Sequence, residues 1–373
     1  MKKLLALILA VLMIVSLTAC GGTTEPDTPS GGAVAGENIK IDVFWYTFSD
    51  TYLASVRNAM ETELGGKSNI NYTMHDCEEN QAKQTQMIET AITQGTNLLV
   101  VNIVTTGSEE AAQAIIDLAK EKELPVIFFN REVSNEVIKS YEKSCFVGTD
   151  ADEAGYMQGQ AVAEFLLEGD NKDKYDLDKD GEIKYIMFRG EHGNAEAFGR
   201  TKYAIEEANR LLEGKGVKLA PSPANETSTQ YEDDGISNYF LYGNWSATTA
   251  AELMGTALSS YSLTDGKIEL ILANNDDQAI GAIEAMNEKN FNTGADGAGY
   301  IPVFGVDATD VAKSALADGK MTGTILQDGP AMAKCIVALT DNVANGKDLF
   351  ADTSSYNVDD GVNKIRIPYA IVK

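Results

Sequence analysis

Short apolar runs rich in β-branched and aromatic residues alternate along most of this chain with longer segments whose apolar positions recur every three or four residues. The runs have the length and composition of buried strands, and the longer segments have the period of helices. Ile39–Tyr46, Ile70–Met74, Asn97–Val104 and Pro125–Asn130 predict strands. Tyr52 to about Leu64, Asn80–Thr93 and Ser108–Lys122 predict the helices between them. The alternation then starts again. It gives a strand at Ser144–Gly148, a helix to about Glu168, a strand at Ile183–Phe188, and helices over Asn194–Leu212 and about Thr248–Ser259. Strands at Lys267–Ala273, Ile301–Val306 and Thr322–Leu326 come next, with helices after the first two, then a helix over Ala331–Gly346 and a last strand over Lys364–Ile371. Residues 219–240 are polar and turn-rich and predict an insertion in this order. Repeated strand–helix alternation implies parallel sheets wound on both faces. The chain therefore reads as an α/β protein of two Rossmann-like lobes with parallel-rich sheets, joined by a hinge of several crossings.

The first residues obey another rule. Lys2 and Lys3 precede an apolar run from Leu4 to Leu17, and Leu17-Thr18-Ala19-Cys20-Gly21 ends it. A charged start, a short apolar core and small residues before a cysteine predict a signal peptide over 1–19. The ending resembles the bacterial lipoprotein box, in which Cys20 becomes the lipid-modified amino terminus. Residues 20–37, rich in Gly, Thr, Pro and Ser, then form a flexible tether.

Composition narrows the partners. Asp and Glu number 56 against 30 Lys and Arg, a net charge of −26, which disfavours nucleic acid and anionic lipid surfaces. Beyond Cys20 only Cys77, Cys145 and Cys335 remain, without metal-ligand spacing, so they read as buried thiols rather than a disulfide framework. Two histidines, His75 and His192, make a His-based triad or multi-His metal site a poor reading.

Candidate chemistry gathers where strands end. Asp50, Asn102, Asn194, Asn275 and Asp307 each come after an apolar run, at the strand ends where open α/β sheets take ligands. Each also suits a helix N-cap. Glu196 and Arg200 add hydrogen-bonding groups after Asn194, and Tyr52 and Trp245 offer rings for the C–H face of a sugar. In the loop 176–184, Asp176, Asp178 and Asp180 precede Gly181 with the spacing of an EF-hand oxygen cage. Position twelve is Met187 and position nine is Lys184, so the loop reads either as a Ca²⁺ site completed from elsewhere or as a solvated acidic turn.

The runs PVIFFNREVS (125–134), FVGTDADEAG (146–155), DLDKDGEIKY, KIELILANNDDQAIGA (267–282), PVFGVDA (302–308) and KIRIPYAIV (364–372) cover both lobes in order. Together they resemble the galactose/glucose-binding proteins of sugar ABC importers, of the type I periplasmic-binding-protein fold. The resemblance implies a first lobe over 38–130 plus 327–366 and a second over 131–326 plus 367–373. It implies sugar contacts at Asn102, Arg200, Trp245, Asn275 and Asp307, with Asp50 and Tyr52 as the acidic and aromatic residues after the first strand. Asn194 and Glu196 stand where the family has His-x-Asp, and Gln327 stands where it has Asn. The family's Ca²⁺ ligands carry over to Asp176, Asp178, Asp180, the carbonyl of Glu182 and the remote Glu269, while Lys184 replaces a Gln. The resemblance thus implies an extracytoplasmic, lipid-anchored monomer that closes its lobes on a monosaccharide and presents it to the permease of an ABC importer. The alternatives are a receptor serving a sensor system and a secreted glycan-active enzyme using two of Asp50, Glu196 and Asp307. A DNA-binding regulator is disfavoured by the signal peptide and tether.

Overall fold

The structure, a computed structural model, describes residues 38–227, 239–294 and 299–373. The expected signal peptide, Cys20 and tether lie outside the described residues, as does the middle of the 219–240 insertion. Strands β1 (Ile39–Trp45), β2 (Ile70–Asp76), β3 (Leu98–Val101), β4 (Val126–Phe129) and β5 (Ser144–Gly148) open the fold. After them come β6 (Glu182–Arg189), β7 (Lys218–Pro221), β8 (Glu226–Thr227), β9 (Tyr239–Tyr242), β10 (Leu270–Ala273), β11 (Val303–Asp307) and β12 (Gly323–Gln327). The chain ends with β13 (Asn357–Val358), β14 (Lys364–Arg366) and β15 (Tyr369–Val372). Two sheets result, in the orders β13-β14-β5-β4-β3-β1-β2 and β15-β12-β11-β10-β6-β9-β8, with β7 also on β6. Pairing is parallel except for β8–β9, β12–β15 and β13–β14.

Both sheets are covered on both faces, which explains why their strands read as continuous apolar runs. Along β1, Ile39, Ile41, Val43 and Trp45 enter the core under helices Thr51–Gly65 and Gly329–Ala344, while Phe44 points the other way, under Gln81–Thr93 and Glu109–Glu121. Along β6, Ile183, Tyr185 and Met187 face helices Ala151–Leu167 and Ala195–Leu212, and Ile186 and Phe188 face Ala247–Ser260 and Asp276–Asn287.

Three boundaries differ from expectation. β5 pairs with β4 in register Val126↔Ser144, so residues 131–148 belong to the first lobe, and the first crossing falls at Thr149–Asp150 rather than after Asn130. A lone five-residue apolar run has no periodicity that assigns it to one sheet over another. The tail strand is two strands in two sheets. β14 adds to β5 and β15 to β12, and the break falls at Ile367-Pro368, where proline cannot donate to a ladder. The insertion 219–240 is bounded by pairing rather than loop, because β7 and β9 cover successive parts of one edge of β6.

Helices Ala151–Leu167 and Ala195–Leu212 approach closely through glycines. A Cβ on Gly155 would lie 2.3 Å from the Gly199 carbonyl oxygen, and one on Gly159 would lie 2.6 Å from that of Ala204. Backbone cannot retreat as a side chain would. Gly155→Ala is therefore expected to lower the unfolding free energy by about 1–3 kcal/mol in urea titrations. Gly65→Ala, with nothing within 4 Å of the added Cβ, is expected to leave it unchanged or raise it.

Candidate functional site

The carboxyl ends of both sheets face a cavity between the lobes. The first lobe contributes Tyr46, Asp50 and Tyr52 after β1, and Asn130 and Arg131 after β4. The second contributes Asn194, Glu196 and Arg200 after β6, Trp245 after β9, Asn275 after β10 and Asp307 at the end of β11. Gln327 closes it at the end of β12. Of the residues expected from sequence, Asp50, Tyr52, Asn194, Glu196, Arg200, Trp245, Asn275, Asp307 and Gln327 are brought together here.

Asn102 is not among them. It is fully buried, its Nδ2 donating to the Phe129 carbonyl at 3.0 Å and to Asn130 Oδ1 at 3.1 Å, and its Oδ1 accepting from the Tyr46 amide at 3.3 Å. Asn102 braces two wall residues from behind, and Asn130, one strand further along, faces the cavity in its place. Both end apolar runs with asparagine, so sequence alone does not rank them. The turn does, because Asn130 has φ 61° and leaves the sheet at once. Sequence reasoning also misses Tyr46 and Arg131, the first because it reads as the last residue of a strand, the second because a lone arginine carries no pattern.

Helix capping and wall-forming coincide. Asp50 Oδ1 accepts from Leu53 N at 2.8 Å and its Oδ2 accepts from Tyr46 Oη at 2.8 Å. Asn194 and Asn275 cap their helices through Ala197 N and Gln278 N, each at 3.0 Å, and Asn275 Nδ2 donates to the Trp245 carbonyl at 3.1 Å. The N-cap role and the cavity role are thus one arrangement, since a cap at a strand's carboxyl end is already at the mouth.

The centre is charged and buried. Arg200 Nη1 donates to the Asn274 carbonyl at 2.8 Å, and Nη2 donates to Gln327 Oε1 at 2.9 Å and Tyr369 Oη at 3.1 Å. Asp307 Oδ1 lies 3.6 Å from Arg200 Nη1 yet has no hydrogen-bond partner, and neither oxygen of Glu196 nor Arg200 Nε has one. Burial pushes the carboxyls of Glu196 and Asp307 above the ordinary range, against the pull of Arg200. Behind Asp307, buried Asp276 accepts from Thr324 Oγ1 at 2.6 Å and from Thr309 N at 2.7 Å, and burial pushes its carboxyl up to about 7. That brace holds a turn in which Asp307 and Ala308 have φ of 119° and 52°. Trp245, at φ 63°, is a third wall residue in the left-handed region, beside Asn130 and Asp307. Such conformations cost about 1–3 kcal/mol each and persist where surroundings over-determine them.

The lobes meet around the cavity's rim. Thr51 Oγ1 lies 2.8 Å from both carboxylate oxygens of Asp277, Arg131 pairs with Glu191 while its guanidinium stacks 4.2 Å from the Tyr46 ring centroid, and a Cβ on Gly107 would lie 2.8 Å from the Gly193 carbonyl.

The expected cation loop lies away from this cavity. Carboxylate oxygens of Asp176, Asp178 and Glu269 lie within 4.8 Å of one another. Asp180 instead holds Lys184 Nζ at 2.5 Å, and Glu182 lies 3.6 Å from the same nitrogen. An ammonium thus stands among the oxygens of the loop.

Residues 41–348 match the model of the periplasmic binding protein domain. The D-galactose/methyl-galactoside binding periplasmic protein of Haemophilus influenzae is 33% identical over 340 residues, 91% of this chain and 91% of that one. A solute binding protein of an ABC transporter from Bacillus halodurans, solved with bound myo-inositol, has a TM-score of 0.64 at 22% identity, covering 92% of this chain and 96% of its own. Another from Actinobacillus succinogenes, with bound D-allose, has a TM-score of 0.65 at 17% identity, covering 90% and 97%. At such identities the two structures attest the fold.

Gly190, just after β6, admits the Trp245 ring, since a Cβ there would lie 2.3 Å from Trp245 Cζ2. Gly190→Ala is expected to displace that ring and shift its fluorescence emission, read in a Trp45→Phe background. The same substitution is expected to lower the unfolding free energy by about 1–3 kcal/mol.

Proposed function

The chain belongs to the periplasmic binding protein family, and from that premise we propose that it captures one monosaccharide of the galactose or glucose type between its lobes and delivers it to an ABC importer. Its relatives bind solutes rather than transform them, so the chain is a binding protein and not an enzyme. One observation carries the sugar reading. At the centre of a cavity lined by Tyr46, Tyr52 and Trp245, the oxygens Asp307 Oδ1, Glu196 Oε1 and Glu196 Oε2 and the donor Arg200 Nε are buried without partners. Burying such groups unpaired is costly, and a ring of vicinal hydroxyls supplies donors and acceptors to all of them while its C–H faces meet the aromatic rings.

Capture results from the placement of these groups on two bodies. A sugar held by one lobe meets the remaining wall only when the lobes close, so ligand adds contacts that exist in the closed state alone and shifts the population toward it. Thr51–Asp277 and Arg131–Glu191 are formed in the same movement. The closed form is what the permease reads. Lipidation at Cys20, through the tether 20–37, keeps the monomer at the outer face of the membrane. Family membership supports an extracytoplasmic location, and among the described residues no helix is long and apolar enough to cross a membrane.

Titration calorimetry against a panel of pyranoses tests the reading: a one-to-one isotherm with galactose or glucose is expected, and silence across the panel would sink it. Asp307→Asn, which keeps the shape and removes the charge, is expected to weaken binding about 10- to 100-fold. Affinity should also depend on pH. Hydroxyl donors require the ionised carboxylates, and burial raises the pKa of Glu196 and Asp307, so binding of the wild type should weaken as pH falls, beginning above the range where exposed carboxylates protonate.

A further inference from the structure

The loop 176–184 has the spacing of a divalent-cation cage, yet its oxygens are engaged otherwise. Asp176 accepts backbone N–H bonds from Asp180 at 3.1 Å and Gly181 at 2.9 Å, which wind the loop. The two oxygens of Glu269, a residue with no solvent exposure, accept from the amides of Leu177 at 2.6 Å and Lys184 at 2.8 Å, which ties the loop to the start of β10. Every remaining carboxylate faces an ammonium. Lys184 Nζ lies 2.5 Å from Asp180, 3.6 Å from Glu182 and 3.8 Å from Asp178. Lys267 Nζ lies 3.2 Å from Asp178, and Lys218 Nζ lies 2.9 Å from Glu182.

We propose that the ammonium of Lys184 does permanently the work a bound divalent cation would do in such a loop, so that the second lobe needs no metal. Ca²⁺ requires six to eight oxygens at about 2.3–2.6 Å around its own centre. Lys184 is the third residue of strand β6, is only 8% exposed and points its charge among the same carboxylates, so an incoming dication meets a like charge that it must first drive out. Lys267 and Lys218 neutralise the flanks of the loop and add to that repulsion. The substitution changes what the lobe depends on. A bound ion stabilises only as far as its free concentration exceeds its dissociation constant, whereas a side chain is present at fixed stoichiometry and cannot be removed by chelation. β6, which leads to Gly190 and the cavity, is thereby anchored at its start whatever the metal content of the surroundings.

Thermal unfolding of the mature protein in excess EDTA and in excess CaCl₂ tests this without reference to sugar. The melting temperatures are expected to agree within about 1 °C, because no differential binding exists to shift them. Metal analysis after dialysis against CaCl₂ is expected to find no bound calcium. Lys184→Gln restores an oxygen at that loop position, and its melting temperature should fall in EDTA and recover with CaCl₂. Stoichiometric calcium on the wild type, or its stabilisation by CaCl₂ over EDTA, would overturn the proposal. So would a Lys184→Gln variant that melts in EDTA where the wild type does. Should the variant not fold in EDTA, metal content and calcium dependence of the wild type still decide. These readouts leave the ligand cavity out, so their failure and that of the sugar reading are distinguishable.

Discussion

A guanidinium shut away from water at Arg200 is the constraint on which the two-lobed arrangement turns. A buried charge is tolerated only when hydrogen bonds and opposite charges replace its hydration. Arg200 finds them at the ends of several strands at once, from the Asn274 carbonyl after β10, Asp307 at the end of β11, Gln327 at the end of β12 and Tyr369 at the start of β15. Tyr369 Oη lies 2.8 Å from Thr149 Oγ1, to which Gln327 Nε2 donates at 3.2 Å. The three crossings between lobes, at Thr149–Asp150, after Gln327 and at Ile367-Pro368, are thus gathered around one buried cation. Its demand for partners sets the floor of the cavity and the seat of the hinge together.

The cavity inherits its chemistry from that floor. Tyr369, Asp307 and Glu196 keep Arg200 firmly protonated against the effect of burial, while it cannot offset the burial of both carboxyls. Orphaned oxygens therefore remain, aimed inward. Water would satisfy them in an open molecule. In a closed one, a ligand with several hydroxyls at fixed angles does so with less motion to lose, which is why polar groups rather than apolar area define what fits.

Fold class and most of the walls are legible in the sequence because period and position are local. Two-sided burial writes the strands as apolar runs, and N-caps at strand ends mark Asp50, Asn194 and Asn275. The illegible parts depend on neighbours that sequence does not name. Asn102 and Asn130 carry the same local signature, and the order β4-β3-β1 together with the left-handed turn at Asn130 puts one behind the wall and the other in it. Ser144–Gly148 is equally plausible in either sheet until its partners are known. The break between β14 and β15 is written in Pro368, whose missing donor is incompatible with a continuous strand. Lys184 is visible as a departure from the cation-loop pattern, but its distances to Asp178, Asp180 and Glu182 are not.

The left-handed turns at Asn130, Trp245 and Asp307 bear on how such a pocket changes over evolutionary time or under redesign. At those three positions the backbone tolerates few replacements, since branched side chains clash there and the turn itself aims the group. Asn194 caps a regular helix and Glu196 and Arg200 lie within its first turns, where many residues fit without disturbing the main chain. Selectivity among hydroxylated ligands is thus free to drift along one helical face, while the opposing turns hold the frame against which each new ligand is measured.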